Sequence, residues 1–323
     1  KVIEALGQHE DMVSSGRDVL IYSLARALPA DVDAAWEAVQ SARLPGIHTF
    51  VSTSEDHRRA KFPGKRQEDL KYMLADSAAQ AAEKFVRAGK YGMVEVSAEE
   101  ALRTPIELLI EIYNHVASNV RPYMGKVGFT FNIPDTVGVV THPKKYAEYI
   151  RELKKNVHGM ENVLWSAHVH NDHGFAVASS MISIEEGVRQ IESTVNGIGE
   201  RAGNSSLEQI AMIVAHDSEG VYGVHTKLDT TKIFPASIKV AAFTGFHPGR
   251  NQPVVGSNTR AHEAGIHQAG QLKGLRQGNA HVYEGVTGDE IGAGGSKFPL
   301  GRRSGINALE YHLTLLGYEL IRF

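Results

Sequence analysis

The sequence predicts an α/β fold: a (β/α)8 TIM barrel, of which about six strands lie in this chain, followed by a mainly helical linker subdomain. Short apolar runs typical of buried strands alternate with amphipathic segments. The runs start roughly 25 to 45 residues apart, which is the span of a βαβ unit. Polar residues suited to chemistry end almost every run. Barrels place such residues at the ends of many strands, whereas an open sheet concentrates them at one crevice.

Six runs carry the strand pattern. They are DVLIYSLA (18–25), GIHTFVST (46–53), GMVEVS (92–97), VGFTFN (127–132), NVLWSAHVH (162–170) and VRQIESTV (188–195). Amphipathic segments separate them, and residues 68–88 show the clearest helical spacing of apolar residues. The strand rhythm is lost towards the end of the chain, where residues 228–246 predict a helix. We therefore assign 1–226 to a partial TIM-barrel catalytic domain and 227–323 to a helical linker and dimerisation subdomain.

Capping signals mark two of the predicted helices. Thr104 precedes a proline and stands three residues before Glu107, and Ser205 stands three residues before Glu208. Both patterns are typical of helix N-termini. They predict helices that begin just after Thr104 and Ser205.

Composition excludes several classes of protein. With 42% hydrophobic and 22% charged residues, the 323-residue chain has the composition of a folded globular protein. The net charge of -3 offers no basic stripe for nucleic acid, and no apolar run approaches the ~20 residues that cross a bilayer. The absence of cysteine leaves nitrogen and oxygen as metal ligands and favours a cytoplasmic location.

A histidine pair ends the fifth strand run. Because side chains alternate along a strand, His168 and His170 share one face while Val169 points to the covering helices. Neutral imidazoles commonly bind divalent ions, so the pair forms a plausible metal clamp. The alternative is two polar residues that line a barrel mouth. His173 has left the strand and suits a supporting or surface position.

The same alternation points two other residues into the barrel. His48 and Glu95 face inward, and a lone inward carboxylate is costly unless it is paired or binds a metal. Asn204, in the loop NGIGERAGN, would lie beside the His168 strand as an oxygen ligand or substrate contact. The glycines of this loop miss the dinucleotide spacing, which argues against NAD.

Six stretches together resemble one enzyme family. They are HVHNDHG, NGIGERAGNSSLEQIAM, NIPDTVG, IHTFVSTS, VEVSAEEALR and AHEAGIHQAGQLKG. In this arrangement they are similar to the metal-dependent Claisen-condensing barrels, in their 2-isopropylmalate synthase branch, over essentially all of residues 1–323. The resemblance implies an acyltransferase of leucine biosynthesis that joins acetyl-CoA, 2-oxoisovalerate and water into 2-isopropylmalate and CoA. It also implies a homodimer, a divalent cation (Mg²⁺, Mn²⁺ or Zn²⁺), and neither nucleic acid nor membrane as partner.

The resemblance also implies roles for individual residues. It assigns His168, His170 and Asn204 to the metal, His48 and Thr136 to the oxoacid, and Glu95, His267 and Tyr283 to catalysis. His267 and Tyr283 follow the barrel, and the resemblance implies that they reach a neighbouring active site. The family's ion chelates the oxoacid and makes its carbonyl carbon electrophilic, and a base removes a proton from the acetyl methyl group.

Departures from the family pattern keep alternatives open. The family's first strand carries an Arg-Asp-Gly-Glu-type motif with a third metal ligand, and no stretch of this chain matches it. We therefore expect the first two strands to be absent and the sheet to have open edges. Ala269 stands where an aspartate is common. The alternatives are homocitrate or citramalate synthase, and an inactive fragment or paralogue that serves as an interaction module.

Overall fold

Six strands form one parallel sheet in the computed structural model, which describes residues 19–318. The strands are β1 Leu20–Arg26, β2 Leu44–Ser52, β3 Met93–Glu99, β4 Gly128–Asp135, β5 Leu164–Val169 and β6 Gln190–Glu192. They lie side by side in chain order. Each of the six predicted runs overlaps one observed strand, and the expected open edges appear as the unpaired sides of β1 and β6 among the described residues.

Side-chain contacts across the sheet show that it curls. In a flat sheet, β2 and β6 would be four strand spacings, or about 19 Å, apart. Nδ1 of His48 on β2 nevertheless lies 3.7 Å from Oε1 of Glu192 on β6. The sheet is therefore concave on the face that carries these residues, as part of a TIM barrel requires.

Helices cover the convex face. They are α1 Pro29–Val39, α3 Gln67–Arg87, α4 Ile106–Val120, α5 Pro143–Asn156 and α6 Ala176–Glu185, with short 3-10 turns at Ala101–Arg103 and Arg121–Tyr123. The short helix α2 Glu55–Lys61 follows β2 and buries none of its residues. The outward strand residues Ile47, Val94 and Val169 share one buried core with Leu74 of α3 and Ile112 of α4. The predicted inward and outward faces of these strands are thus confirmed.

A second unit, made chiefly of helices, follows the sheet. The first unit ends at Ser193 and also includes Gly199–Ser205, whereas the second takes Thr194–Ile198 and the chain from Ser206. The second unit contains α7 Leu207–Ala215, α8 Ile233–Thr244, α9 Gly265–Arg276, α10 Gly288–Ile291 and α11 Ile306–Leu315, and 3-10 turns at Val195–Gly197, Thr230–Lys232 and Ala280–Val282. Within residues 19–318, no helix combines the length and apolar character needed to cross a membrane. The functional assignment of 1–226 and 227–323 stays a prediction.

The two predicted helix caps are wrong in detail. Helix α4 begins at Ile106, and the Thr104 hydroxyl donates instead to the carbonyl of Glu100, at 3.0 Å. Helix α7 begins at Leu207, and the Ser205 hydroxyl pairs with that of Ser180, at 2.7 Å. Buried hydroxyls have other partners available, and here those partners replace the cap.

Candidate active site

The candidate site lies on the concave face, where strand register arranges inward side chains in rows. His48 is level with Glu95 on the neighbouring strand, and His168 is level with Glu192. A cavity of about 240 Å³ opens here, and its lining includes His48, Asn132, Thr136, His168 and Glu192. The predicted concentration of functional groups on this side of the sheet is therefore present.

The histidine pair has the spacing of a metal clamp. Val169 is 1% exposed and packs in the outer core, so His168 and His170 turn to the concave side together. Their Nε2 atoms lie 3.1 Å apart. Two nitrogens bound at about 2.1 Å and at right angles to one octahedral ion would be about 3.0 Å apart. Burial lowers the pKa of His170, which keeps its imidazole in the neutral form that binds metals.

Glu192 is a functional candidate that the sequence reasoning missed. Its Oε2 lies 2.8 Å from Nδ1 of His168, and its Oε1 accepts a hydrogen bond from Nδ2 of Asn132 at 3.0 Å. Burial by itself would raise the pKa of Glu192, but the contact with His168 lowers it. An ionised carboxylate at Nδ1 turns the opposite nitrogen of His168 towards a ligand, which is the usual support for a metal-binding histidine.

Glu95 is a buried carboxyl group held by one amide. The residue is 2% exposed, and Gln190 on β6 donates a hydrogen bond of 2.7 Å to its Oε1. Burial and, after it, the charge of Glu192 raise the pKa of Glu95 well above its ordinary value. The pair thus keeps one proton, on Glu95, and Glu95 can donate a hydrogen bond where Glu192 cannot.

His48 is held as a neutral ring of one tautomer. Asn132 Nδ2 donates to Ser97 Oγ at 3.0 Å, which leaves the Ser97 proton free to point at His48 Nε2, 2.6 Å away. Nδ1 of His48 then carries the ring proton and faces Glu192. Burial lowers the pKa of His48, consistent with a neutral ring.

Thr136 and Asn204 lie at the rim of the site. The Thr136 hydroxyl accepts a 2.9 Å hydrogen bond from the backbone N–H of Glu100, so its own proton remains available to a ligand. Asn204 pairs with His170 through an antiparallel bridge. A Cβ at position 199 would lie 2.5 Å from Nδ2 of Asn204, so the absence of a side chain at Gly199 allows Asn204 to lie close to the backbone there.

Asn171 and Asp172, the polar neighbours of the histidine pair, have side-chain partners other than the two imidazoles. Oδ1 of Asn171 accepts a hydrogen bond from the N–H of Ala176 at 3.1 Å. Asp172 forms a two-pronged ion pair with Arg201, at 2.8 and 3.0 Å. The two residues shape the surrounding loops, and Glu192 occupies the supporting position.

His267 and Tyr283 meet in the second unit. Their rings stack with centroids 4.5 Å apart, and Tyr283 is 40% exposed. The backbone N–H of Tyr283 donates to Oε1 of the buried Gln271, at 2.9 Å. A Cβ at Gly270 would lie 2.3 Å from the Tyr283 ring, so this glycine makes room for the stack. The two residues form one exposed pair, and their catalytic role stays a prediction.

A second group of possible ligands lies beside the histidine pair and contacts it through Glu192 and His168. One ligand atom each from His48, Glu95 and Glu192 lies within 4.8 Å of the other two. The proton retained by Glu95 weakens that carboxyl as a ligand. The donor chemistry of the concave face therefore fits a divalent cation.

Comparison with known proteins agrees with this architecture. A model described as HMGL-like matches residues 3–240, and one described as homocitrate synthase post-HMGL domain-like matches residues 254–322. The chain belongs to the HMGL-like family. Among solved structures, the chain resembles an HMG-CoA lyase of Bacillus subtilis, with a TM-score of 0.56 and 18% sequence identity. The match covers 76% of this chain and 79% of the lyase chain. That likeness is evidence for the fold.

Curated relatives with higher identity bear the name 2-isopropylmalate synthase. The protein from Chromobacterium violaceum is 40% identical over 94% of this chain and 55% of its own length. The protein from Pyrococcus furiosus is 39% identical over 98% of this chain and 60% of its own length. This HMGL-like chain thus spans little more than half the length of the relatives it matches.

Proposed function

We propose that this chain carries the catalytic region of a 2-isopropylmalate synthase, which condenses acetyl-CoA with 2-oxoisovalerate and water to give 2-isopropylmalate and CoA. The observation that carries the proposal is the identity of about 40% to relatives of that name over nearly the whole chain. The reaction removes a methyl proton, forms one carbon–carbon bond and releases the thiol of CoA. It is an acyl transfer in leucine biosynthesis.

His168 and His170 would hold the divalent cation, with Asn204 beside them. The bound ion would supply Lewis acidity towards the oxoacid. Nitrogen and oxygen donors alone leave Mg²⁺, Mn²⁺ and Zn²⁺ as candidates. Glu192 keeps His168 oriented, because its carboxylate contacts the ring nitrogen opposite the ligand side.

The remaining residues divide between the two substrates. His48 and Thr136, which both line the 240 Å³ cavity, would bind the oxoacid. Glu95 would donate a hydrogen bond from its retained proton to an oxygen that gains negative charge. His267 and Tyr283 would act on acetyl-CoA, with His267 as the base that takes the methyl proton.

We place the protein in the cytoplasm as a homodimer. Large apolar side chains lie exposed on the second unit, among them Phe243 at 81%, Ile266 at 78% and Phe246 at 67%. Such a concentration of exposed apolar residues marks an interaction surface. A partner subunit would cover it and could receive His267 into its own site.

The test is release of free CoA from acetyl-CoA with a panel of 2-oxoacids, using the complete protein. We expect 2-oxoisovalerate to give the highest kcat/KM. The second family match favours one alternative, homocitrate synthase, for which 2-oxoglutarate would be the preferred acceptor. No CoA release with any oxoacid, from folded protein supplied with metal, would refute the proposal.

A further inference from the structure

A second cavity, of about 510 Å³, lies wholly within the second unit. Its lining includes two cations, Arg250 and Lys297, and an apolar wall of Phe298, Tyr311 and Leu315. This volume falls in the range of small-molecule sites. Nothing in the proposed condensation uses these residues.

The charge of this cavity is positive. No Asp or Glu lines it, and neither Arg250 nor Lys297 has an ion-pair partner within residues 19–318. Two cations that line one cavity without a carboxylate repel each other, and an anion between them would relieve that repulsion. Guanidinium and ammonium groups together suit a phosphate, the first as a fork of donors and the second as a point charge.

Ordered backbone supports both cations. Lys297 donates its N–H to the carbonyl of Arg260 at 2.7 Å and accepts from the N–H of His262 at 2.9 Å. The carbonyl of Arg250 accepts from the N–H of Asn258 at 2.9 Å. The backbone from which each charged side chain extends is therefore hydrogen-bonded at both positions.

The aromatic wall is equally fixed. Phe298 and Tyr311 pack edge to face with ring centroids 5.0 Å apart. Nε2 of His312 lies 2.6 Å from the carbonyl oxygen of Phe298, which ties α11 to this segment. Leu315, 66% exposed, extends the apolar surface at the rim. A bare phosphate would leave this wall unused, whereas a phosphate joined to a flat ring would use both parts of the cavity.

We propose that this cavity binds the phosphorylated adenosine group of a nucleotide. That chemistry is shared by free ADP and by the nucleotide end of CoA. For the nucleotide end of CoA the inference rests on the proposed condensation, whereas for free ADP it goes beyond it, and in neither case does it depend on which oxoacid is condensed.

Calorimetric titration with ADP, CoA, pantetheine and pyrophosphate tests the proposal. ADP and CoA should bind, and pantetheine, which lacks the nucleotide, should not. Lys297→Gln and Arg250→Gln should each weaken ADP about 10-fold, the usual effect of losing one charge-assisted contact. Lys273→Gln, which removes an exposed lysine of α9 that does not line the cavity, is the matched control and should leave the affinity unchanged. CoA binding without ADP binding would place the nucleotide elsewhere and overturn the proposal.

A second measurement needs no variant. Amine acetylation followed by mass spectrometry should show that ADP protects Lys297 and leaves Lys273 reactive. Unprotected Lys297 at saturating ADP would overturn the assignment of the site. Equal affinity for pyrophosphate and ADP, with no loss in Tyr311→Ala, would overturn the role of the aromatic wall. Because these readouts are binding measurements, they can fail while CoA release succeeds.

Discussion

Single residues of the site were predictable wherever one strand fixed their direction. Alternation along β5 was sufficient to place His168 and His170 on one face, and alternation along β3 placed Glu95 inside. Glu192 carried the same signal, an inward acid in an apolar run, but it lies on the three-residue strand β6. The predicted barrel implies a curled sheet, but the sequence does not show that the curl brings this acid to His48 and His168, since that depends on contacts between distant strands.

The metal clamp gives the first prediction. His170→Ala should lower divalent-cation affinity by about 10-fold or more, because a lost ligand costs at least as much as a lost supporting group. The measurement is metal content by elemental analysis after dialysis. His173→Ala is the control, since that ring contacts the carbonyl of Gly138 instead. Unchanged metal content in His170→Ala would contradict the clamp.

Glu95 gives a prediction about pH. Its pKa in the folded state is raised above the ordinary 4.5, so folding favours the protonated form. Stability from this group is then present at low pH and is lost as pH rises from 4.5 towards the raised folded-state pKa. Glu95→Gln keeps the shape and removes the titration. Its Tm should exceed the wild-type value by about 2–4 °C near pH 8, which corresponds to a gain of about 1 kcal/mol in the free energy of unfolding. The difference in Tm should shrink towards about pH 5.

Thermal unfolding of both proteins across that pH range checks the sign. Glu107→Gln, at an exposed position on α4, controls for loss of a charge. A Tm difference that grows towards acid pH would mean that Glu95 is ionised in the folded protein.

The presence of strands and helices was more predictable than their first and last residues. Six runs with apolar alternation became six strands, because a strand buried on its outer face must keep that pattern. The cap positions failed because Thr104 and Ser205 are buried beside other hydrogen-bond partners that only the folded chain provides. Local signals predict a helix well, but tertiary contacts decide its first residue.

The loop that carries Asn204 gives a prediction at this scale. Gly199→Ala should displace Asn204, because the new Cβ would lie 2.5 Å from its Nδ2. Oxoacid KM or metal affinity should worsen by about 10-fold, as for other supporting groups, while the circular dichroism spectrum stays unchanged. Gly249→Ala, where a Cβ meets nothing within 4 Å, is the control. Equal affinities in the two variants would show that Asn204 takes no part in binding.

The whole molecule consists of two units, and its assembly gives the next prediction. The apolar surface of α8 and the residues after it, with Phe243 and Phe246, suits burial against another subunit. Phe243→Asp should therefore weaken the dimer by about 10-fold or more in sedimentation equilibrium. Thr141→Asp, at an exposed polar position of the first unit, is the control for the introduced acid. A monomeric wild-type protein would refute the dimer itself.

Subunit exchange tests whether His267 serves a neighbouring site. The variants His267→Ala and His168→Ala should each be inactive, but mixed dimers would combine an intact histidine pair with an intact incoming His267 in one of the two sites. Partial CoA release should return on mixing. No recovery, with mixed dimers demonstrated by mass spectrometry, would assign His267 to its own subunit or to none.

The hydrogen bond between Gln190 and Glu95 has a consequence for synthesis on the ribosome. The two residues are 95 positions apart in sequence. At a translation rate of about 5–20 residues per second, Gln190 is added to the chain about 5–20 s after Glu95. During that interval the pocket around Glu95 cannot close without leaving a polar group unsatisfied. The concave side of the nascent sheet must therefore remain accessible to solvent until β6 has been synthesised. A ribosome that pauses before residue 190 would prolong the time during which the incomplete barrel can aggregate.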